Sequence, residues 1–212
     1  MILLGASVSP YVRKVLVVAA EKGVKLDNRP INPSTSTDPQ FLAASPFRKI
    51  PVLLDGDMAL ADSTAIVTYL EALHPQPAVL PAAPRERARA VWFEEMADTI
   101  LHAAGQRIFF NRVVAPKFLG RAGDLTAARE AQESLLPPVY EYLESVAPVD
   151  GFLVGDALSI GDISVASMLV NMTYCNAAPA PSQYPKLAAF LVRTMARPSF
   201  AAALASDRAM LG

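Results

Sequence analysis

Residues 50–74 read IPVLLDGDMALADSTAIVTYLEALH, and this stretch decides the fold. Two short apolar runs, Pro51 to Leu54 and Met58 to Ala61, flank an Asp55-Gly56-Asp57 turn. Asp-Gly between apolar runs is a strong hairpin signal, because both residues tolerate the positive φ angles of a tight turn. Asp62 and Ser63 are helix-capping types, and apolar residues then recur at helical spacing from Ser63 to His74. Towards the N-terminus lie an apolar strand at Ile2 to Leu4, an apolar-periodic helix from Pro10 to Lys22, a strand from Leu26 to Ile31 and a short helix from Pro39 to Ala44. The order is βαβ, then α, then ββα. The crossover requires a parallel pair and the hairpin an antiparallel one, so the four strands predict a mixed sheet.

Towards the C-terminus the pattern changes at HPQPAVLPAAP, residues 74–84, where four prolines in eleven residues cannot continue a helix. This segment predicts a semi-rigid linker, with domains at 1–74 and 85–212 on either side of residues 75–84. Beyond it no strand is evident. Helical periods cover Arg85 to Asn111, Leu125 to Val146 and Ser159 to Tyr174, with shorter helices at Tyr184 to Met195 and Pro198 to Ala205, so the second domain is expected to be all-α.

Composition narrows the function. Hydrophobic residues make up 52% of the 212, enough to fill a core. Lys plus Arg number 19 against 20 Asp plus Glu, a net charge of -1 that offers no field for a nucleic-acid backbone. Cys175 is the single cysteine and His74 and His102 are the only histidines, which excludes an intrachain disulfide and leaves almost no material for a metal site. No stretch approaches the roughly 20 apolar residues that span a bilayer, and Met1 to Leu4 carry no basic leader. A soluble cytoplasmic protein without metal, nucleic-acid or membrane partners is expected.

Chemistry-bearing residues gather at three strand–helix junctions. In Ser7-Val8-Ser9-Pro10-Tyr11-Val12-Arg13-Lys14, Ser9 reads as an N-cap and Pro10 as the first helical residue. In Arg48-Lys49-Ile50-Pro51-Val52, proline opens a strand, where it is ordinary. In Ala61-Asp62-Ser63-Thr64, Asp and Ser suit the orphan N–H groups of a helix start. Capping and strand opening account for each motif alone. A fourth motif, Leu158-Ser159-Ile160-Gly161-Asp162-Ile163, is a capping box with Leu158 and Ile163 as a hydrophobic staple.

Taken in this order and within this βαβαββα pattern, the four motifs resemble the cytosolic glutathione transferases of the serine type (tau-, zeta- or omega-like). The resemblance spans nearly the whole chain. It implies a thioredoxin-like N-terminal domain, glutathione as co-substrate, a small hydrophobic electrophile and a homodimer. It makes Ser9 the hydrogen-bond donor to the glutathione sulfur, with Ser7 as the fallback. It also makes Pro51 cis, so that the Ile50 N–H and C=O face an extended ligand, with Lys49 balancing ligand charge. Asp62 and Ser63 correspond to an acidic residue and a serine that hold the γ-glutamyl end. Many classes carry Glu where this chain has the shorter Asp62. Relatives with cysteine at the Ser9 position form mixed disulfides, which a hydroxyl cannot, so the resemblance points to a transferase rather than a reductase.

The task of Ser9 would be physical rather than nucleophilic. A thiol with a pKa of about 8.5 is only a few per cent ionised at neutral pH, and the thiolate is the nucleophile. A hydroxyl donor and the positive end of a helix both favour the anion. For the electrophile, the resemblance points to the first helix of the second domain, so Tyr11, Trp92, Met96 and Ile108 are expected to wall a pocket, with Phe109 and Phe110 as further candidates. An apolar stripe at helical spacing more often packs a core. His102 and Arg107 suit a solvated face, and Cys175 a buried, inert position. A glutathione-dependent isomerase or dehalogenase, and a non-enzymatic protein-binding scaffold, share these features. Retention of Ser9, Ile50-Pro51 and Asp62-Ser63 together argues against the scaffold.

Overall fold

The hairpin forms where the Asp-Gly pair predicts it. Strands β3 (Val52–Asp55) and β4 (Met58–Leu60) pair antiparallel around Gly56, whose φ of 60° suits glycine. Strand β1 (Ile2–Leu4) pairs antiparallel with β3 and parallel with β2 (Asp27–Arg29), giving the order β2-β1-β3-β4. β2 is shorter than the expected Leu26 to Ile31, because Pro30 has no N–H to continue the ladder. Helices α1 (Pro10–Glu21), α2 (Pro39–Ala44) and α3 (Ser63–Leu73) complete the thioredoxin-like βαβαββα order. Alternation sorts the strand residues. Leu4, Val52 and Leu54 share one face and pack with Phe41 of α2, while Leu3 and Leu53, paired in register, are fully buried on the other.

The computed structural model describes residues 1–212, and Cα packing divides them into two compact units, Met1–Val79 with Pro198–Gly212 and Leu80–Arg197. The second unit is all-helical. It comprises α4 (Pro84–Met96), α5 (His102–Phe109), α6 (Leu125–Ser134), α7 (Leu136–Val146), α8 (Ile160–Tyr174) and α9 (Pro185–Met195). The single helix expected over Arg85 to Asn111 is widened into π-helical turns at Ala97–Leu101 and Phe110–Phe118, the second of which carries it past Asn111. The helix expected over Leu125 to Val146 is divided at Leu135, because Pro137 and Pro138 cannot donate to the carbonyls of Glu133 and Ser134.

α8 is the axis of this unit. Ile160 to Met172 are all buried, as expected of a helix that is apolar all round. Gly161 lets α4 approach closely, since a Cβ there would lie 2.8 Å from Phe93 Cβ and 3.0 Å from the Ala90 carbonyl oxygen. Asp162 holds the start of α8, accepting from Leu153 N–H (2.7 Å), Ser159 N–H (2.9 Å) and Ser159 Oγ (2.7 Å). No single helix is long and apolar enough to cross a membrane.

The last helix, α10 (Pro198–Leu211), was expected with residues 85–212 but packs with the first unit. Its fully buried Asp207 takes Nε (3.1 Å) and Nη2 (2.6 Å) of the equally buried Arg13 on α1, and Ser199 Oγ donates to Glu21 at 2.6 Å. At the far end of α1, Lys22 Nζ donates to the carbonyls of His74 (2.7 Å) and Pro77 (2.8 Å) and pairs with Glu71 (2.6 Å), tying the chain leaving α3 to this unit.

Candidate active site

Three junctions meet at one end of the sheet. β1 ends at Leu4, which pairs with Val52 at the start of β3, and β4 ends at Leu60, which pairs back to Leu53. The loop after β1, the step into β3 and the step out of β4 therefore leave the sheet at the same end, where α1 and α3 both begin. Gly5 makes the approach close. Its φ is 145°, and a Cβ there would sit 2.6 Å from Val12 Cγ2 and 3.2 Å from Ile50 Cβ. The first turn of α1, through Val12, and the residue preceding Pro51 converge on that glycine.

Ser9 is the N-cap of α1, with φ −72° and ψ 126°. Its N–H donates to the Ala6 carbonyl (3.0 Å) and its carbonyl accepts from Arg13 N–H (2.9 Å), but its side chain makes no capping bond. A half-buried hydroxyl thus stands at a helix N-terminus without a local task. The first turn carries no acidic residue of its own. Ser7, by contrast, is fully buried, its Oγ without a hydrogen-bond partner. Tyr11 is half-buried, and Lys14 Nζ lies 5.8 Å from its ring centroid.

The Ile50–Pro51 bond is cis. Ile50 is half-buried and precedes the strand ladder, which begins at Val52. Lys49 is exposed, and its backbone N–H and C=O both bond Ser45 Oγ, at 2.8 and 2.9 Å. Arg48 carries a role that its sequence position did not signal. In a left-handed conformation (φ 54°), it donates through Nη1 to the carbonyls of Pro33 (3.2 Å), Ser34 (3.4 Å) and Ser36 (3.1 Å), holding the loop before α2. Asp62 is exposed and accepts from Thr64 N–H at 3.3 Å, while Ser63 is buried as the first residue of α3.

Of the residues expected to wall an electrophile pocket, Trp92 and Met96 share a groove within the helical unit. Trp92, half-exposed, and Met96 line an apolar groove of about 470 Å³ with Ile100, Pro138, Val139 and Tyr142, and Trp92 Nε1 donates to Tyr142 Oη at 3.1 Å. The α7 side of this groove carried no sequence signal. Ile108 is fully buried among the residues of the helical unit. Phe109 and Phe110 are half-buried, His102 likewise, and Arg107 is exposed.

Cys175 is buried, as expected, and burial pushes its thiol up to about 12 despite the opposing Arg112 guanidinium. At pH 8 its thiolate fraction is then about 10⁻⁴. Ellman's reagent is expected to label the native protein more than about a hundredfold more slowly than the unfolded chain. Native labelling at the unfolded rate would contradict a buried thiol.

Known families and structures share this arrangement. The family described as glutathione S-transferase, N-terminal domain, matches residues 3–78, and that described as glutathione S-transferase, C-terminal domain, matches residues 113–207. The chain belongs to the glutathione S-transferase family. Glutathione S-transferase 3 of Zea mays is 30% identical over 205 residues, covering 93% of this chain and 90% of its own. A glutathione S-transferase-I structure bound with lactoylglutathione superposes with a TM-score of 0.84 at 28% identity, covering 97% of this chain and 98% of its own. A glutathione S-transferase from Rhodospirillum rubrum superposes with a TM-score of 0.87 at 25% identity, covering 96% of this chain and 91% of its own. Family membership carries the enzyme class, a transferase, with the thioredoxin-like plus helical fold.

Proposed function

We propose that this glutathione S-transferase family member is a serine-type transferase in which Ser9 Oγ donates a hydrogen bond to the thiolate of glutathione. The observation that carries the reading is the uncapped Ser9 hydroxyl at the start of α1, at the sheet end where Ile50-Pro51 and Asp62-Ser63 also lie. Glutathione is the co-substrate. Its extended backbone adds to the chain at Ile50, whose peptide groups lie outside the ladder. The γ-glutamyl carboxylate sits at the N-terminus of α3 on Ser63, and Asp62 takes the α-amino group. Lys49, exposed beside Ile50, faces the remaining carboxylate charge.

The hydroxyl and the helix dipole lower the thiol pKa, each unit amounting to about 1.4 kcal/mol of preference for the anion. The thiolate then forms a C–S bond to an electrophilic carbon, and a leaving group departs or a proton is taken up from water. Tyr11, two residues from Ser9 and half-buried, is the wall of the hydrophobic electrophile site that this reading keeps. A cytoplasmic location and no metal belong to the same reading.

Ultraviolet titration of the thiolate of bound glutathione tests the proposal directly. A bound pKa below the free value is expected. Binding without ionisation, or no binding, would leave the fold as a scaffold.

Homodimerisation is part of the proposal. Phe47 is 83% exposed on the loop between α2 and β3, and the Trp92–Tyr142 groove is almost wholly apolar. An aromatic side chain buries about 150–250 Å² when it enters such a groove, so Phe47 of one copy is assigned to the groove of a second. Phe47→Ser is expected to shift the sedimentation profile towards monomer at micromolar concentration. An unchanged dimer would place the contact elsewhere.

A further inference from the structure

The two ties between α1 and α10 are equally spaced. Arg13 and Glu21 are eight residues apart on α1, and their partners Asp207 and Ser199 are eight apart on α10. Eight residues of helix rise about 12 Å, so two antiparallel helices are pinned at matching points near both ends, which blocks sliding of one along the other. The forward tie also limits rotation of α1 about its axis, because Arg13 must keep its side chain pointed at α10 for Nε and Nη2 to reach Asp207 Oδ2.

Stability alone does not explain a pair buried this completely. Two buried charges lose their hydration, and well-packed apolar residues of similar size would hold the helices as firmly. What the charged pair adds is direction. Arg13 lies one turn beyond Ser9 and donates its backbone N–H to the Ser9 carbonyl, so the azimuth of that turn sets where the Ser9 hydroxyl points. We infer that α10 is a register splint for α1 and that Asp207 is a positioning residue for the sulfur-binding hydroxyl, an inference that rests on Ser9 as the donor to sulfur.

Asp207→Asn tests this with a sign. If Asp207 acted only through its charge, removing that negative charge near the start of α1 would lower the pKa of bound glutathione. Loss of register instead raises it, because the hydroxyl no longer meets the sulfur. Lys14, the other cation of that turn, is unchanged in every variant. The expected result is a rise of about one unit, read by ultraviolet titration, with kcat/KM about tenfold lower below neutral pH and glutathione affinity within about threefold of the parent. Ser199→Ala, which removes the rear tie without touching a charge, is expected to move the pKa in the same direction by less, and Asp207→Glu to restore most of the shift.

An unchanged or lowered pKa in Asp207→Asn overturns the inference. Should that variant not fold, the Arg13→Met/Asp207→Leu double variant and Ser199→Ala carry the same reading, and parental pH profiles in both overturn it. Ser9→Ala separates the two proposals. If that variant leaves the bound pKa unchanged, the Ser9 reading fails and takes this inference with it. If Ser9→Ala raises the pKa while the α10 variants do not, only the splint falls.

Discussion

Ser9→Ala is expected to lower kcat/KM at pH 6.5 by one to two orders of magnitude while changing glutathione affinity by no more than about twofold. Removing one preorganised donor from a developing oxyanion costs about 10²–10³ in rate, and a diffuse sulfur anion accepts a weaker hydrogen bond, which sets the lower estimate. In the proposed binding mode Ile50, Asp62 and Ser63 hold the peptide and not the sulfur, so affinity is spared. The loss should depend on pH. With the donor gone, the bound thiol titrates nearer its free value of about 8.5, so fewer molecules are ionised at pH 6.5, whereas nearly all are ionised above about pH 9.5. The ratio of parent to variant rates therefore shrinks towards the alkaline end. A ratio that stays constant from pH 6 to 9.5 would mean that Ser9 acts on something other than the ionisation of sulfur.

The largest effect on stability is expected at Asp162. Its carboxyl is fully buried and accepts three hydrogen bonds, from the Leu153 N–H and from the N–H and Oγ of Ser159. Asp162→Ala leaves those donors buried and unmet, at about 1–3 kcal/mol for each unsatisfied group, so a loss of about 3–5 kcal/mol is expected for the helical unit. Asp162→Asn should be nearly as damaging, since its amide turns a donor towards other donors. Trp92, the single tryptophan, lies in the same unit, so its fluorescence during urea unfolding reports this loss separately from the sheet unit. A midpoint within about 0.2 M of the parent would show that α8 is held by its apolar surface alone.

Much of the sheet unit was legible because its signals are local. Asp55-Gly56 marks a turn by its own backbone preferences, Pro10 and Asp62 mark helix starts by capping chemistry, and β1 and β3 are short continuous apolar runs bounded by turn residues. The elements at Ile2, Pro10, Pro39, Val52 and Ser63 begin within a residue of where these signals place them. Boundaries slipped where two local rules competed. Leu125 to Val146 reads as one helix by periodicity, yet Pro137 and Pro138 remove two donors within it, and Pro30 ends β2 early. The candidate site was legible to the extent that it consists of junction residues. Its supports were less so: Arg48 holds the Pro33–Ser36 loop through three carbonyls, and nothing in the local sequence marks the carbonyls it meets.

By itself, then, the amino-acid order determined the succession of strands and helices and which serines and acids stand at helix starts, because each depends on interactions within a few residues. Three matters were decided only by tertiary structure. Ile108 and Trp92 belong to the same helical pattern, but which is buried and which lines a groove depends on where α7 and α8 pack. The π-helical turns at Ala97–Leu101 and Phe110–Phe118 follow no residue that breaks a helix where they begin. Above all, α10 packs with the sheet unit because Asp207 meets Arg13 across 194 residues of chain, and a pairing at that distance leaves no local trace in either segment.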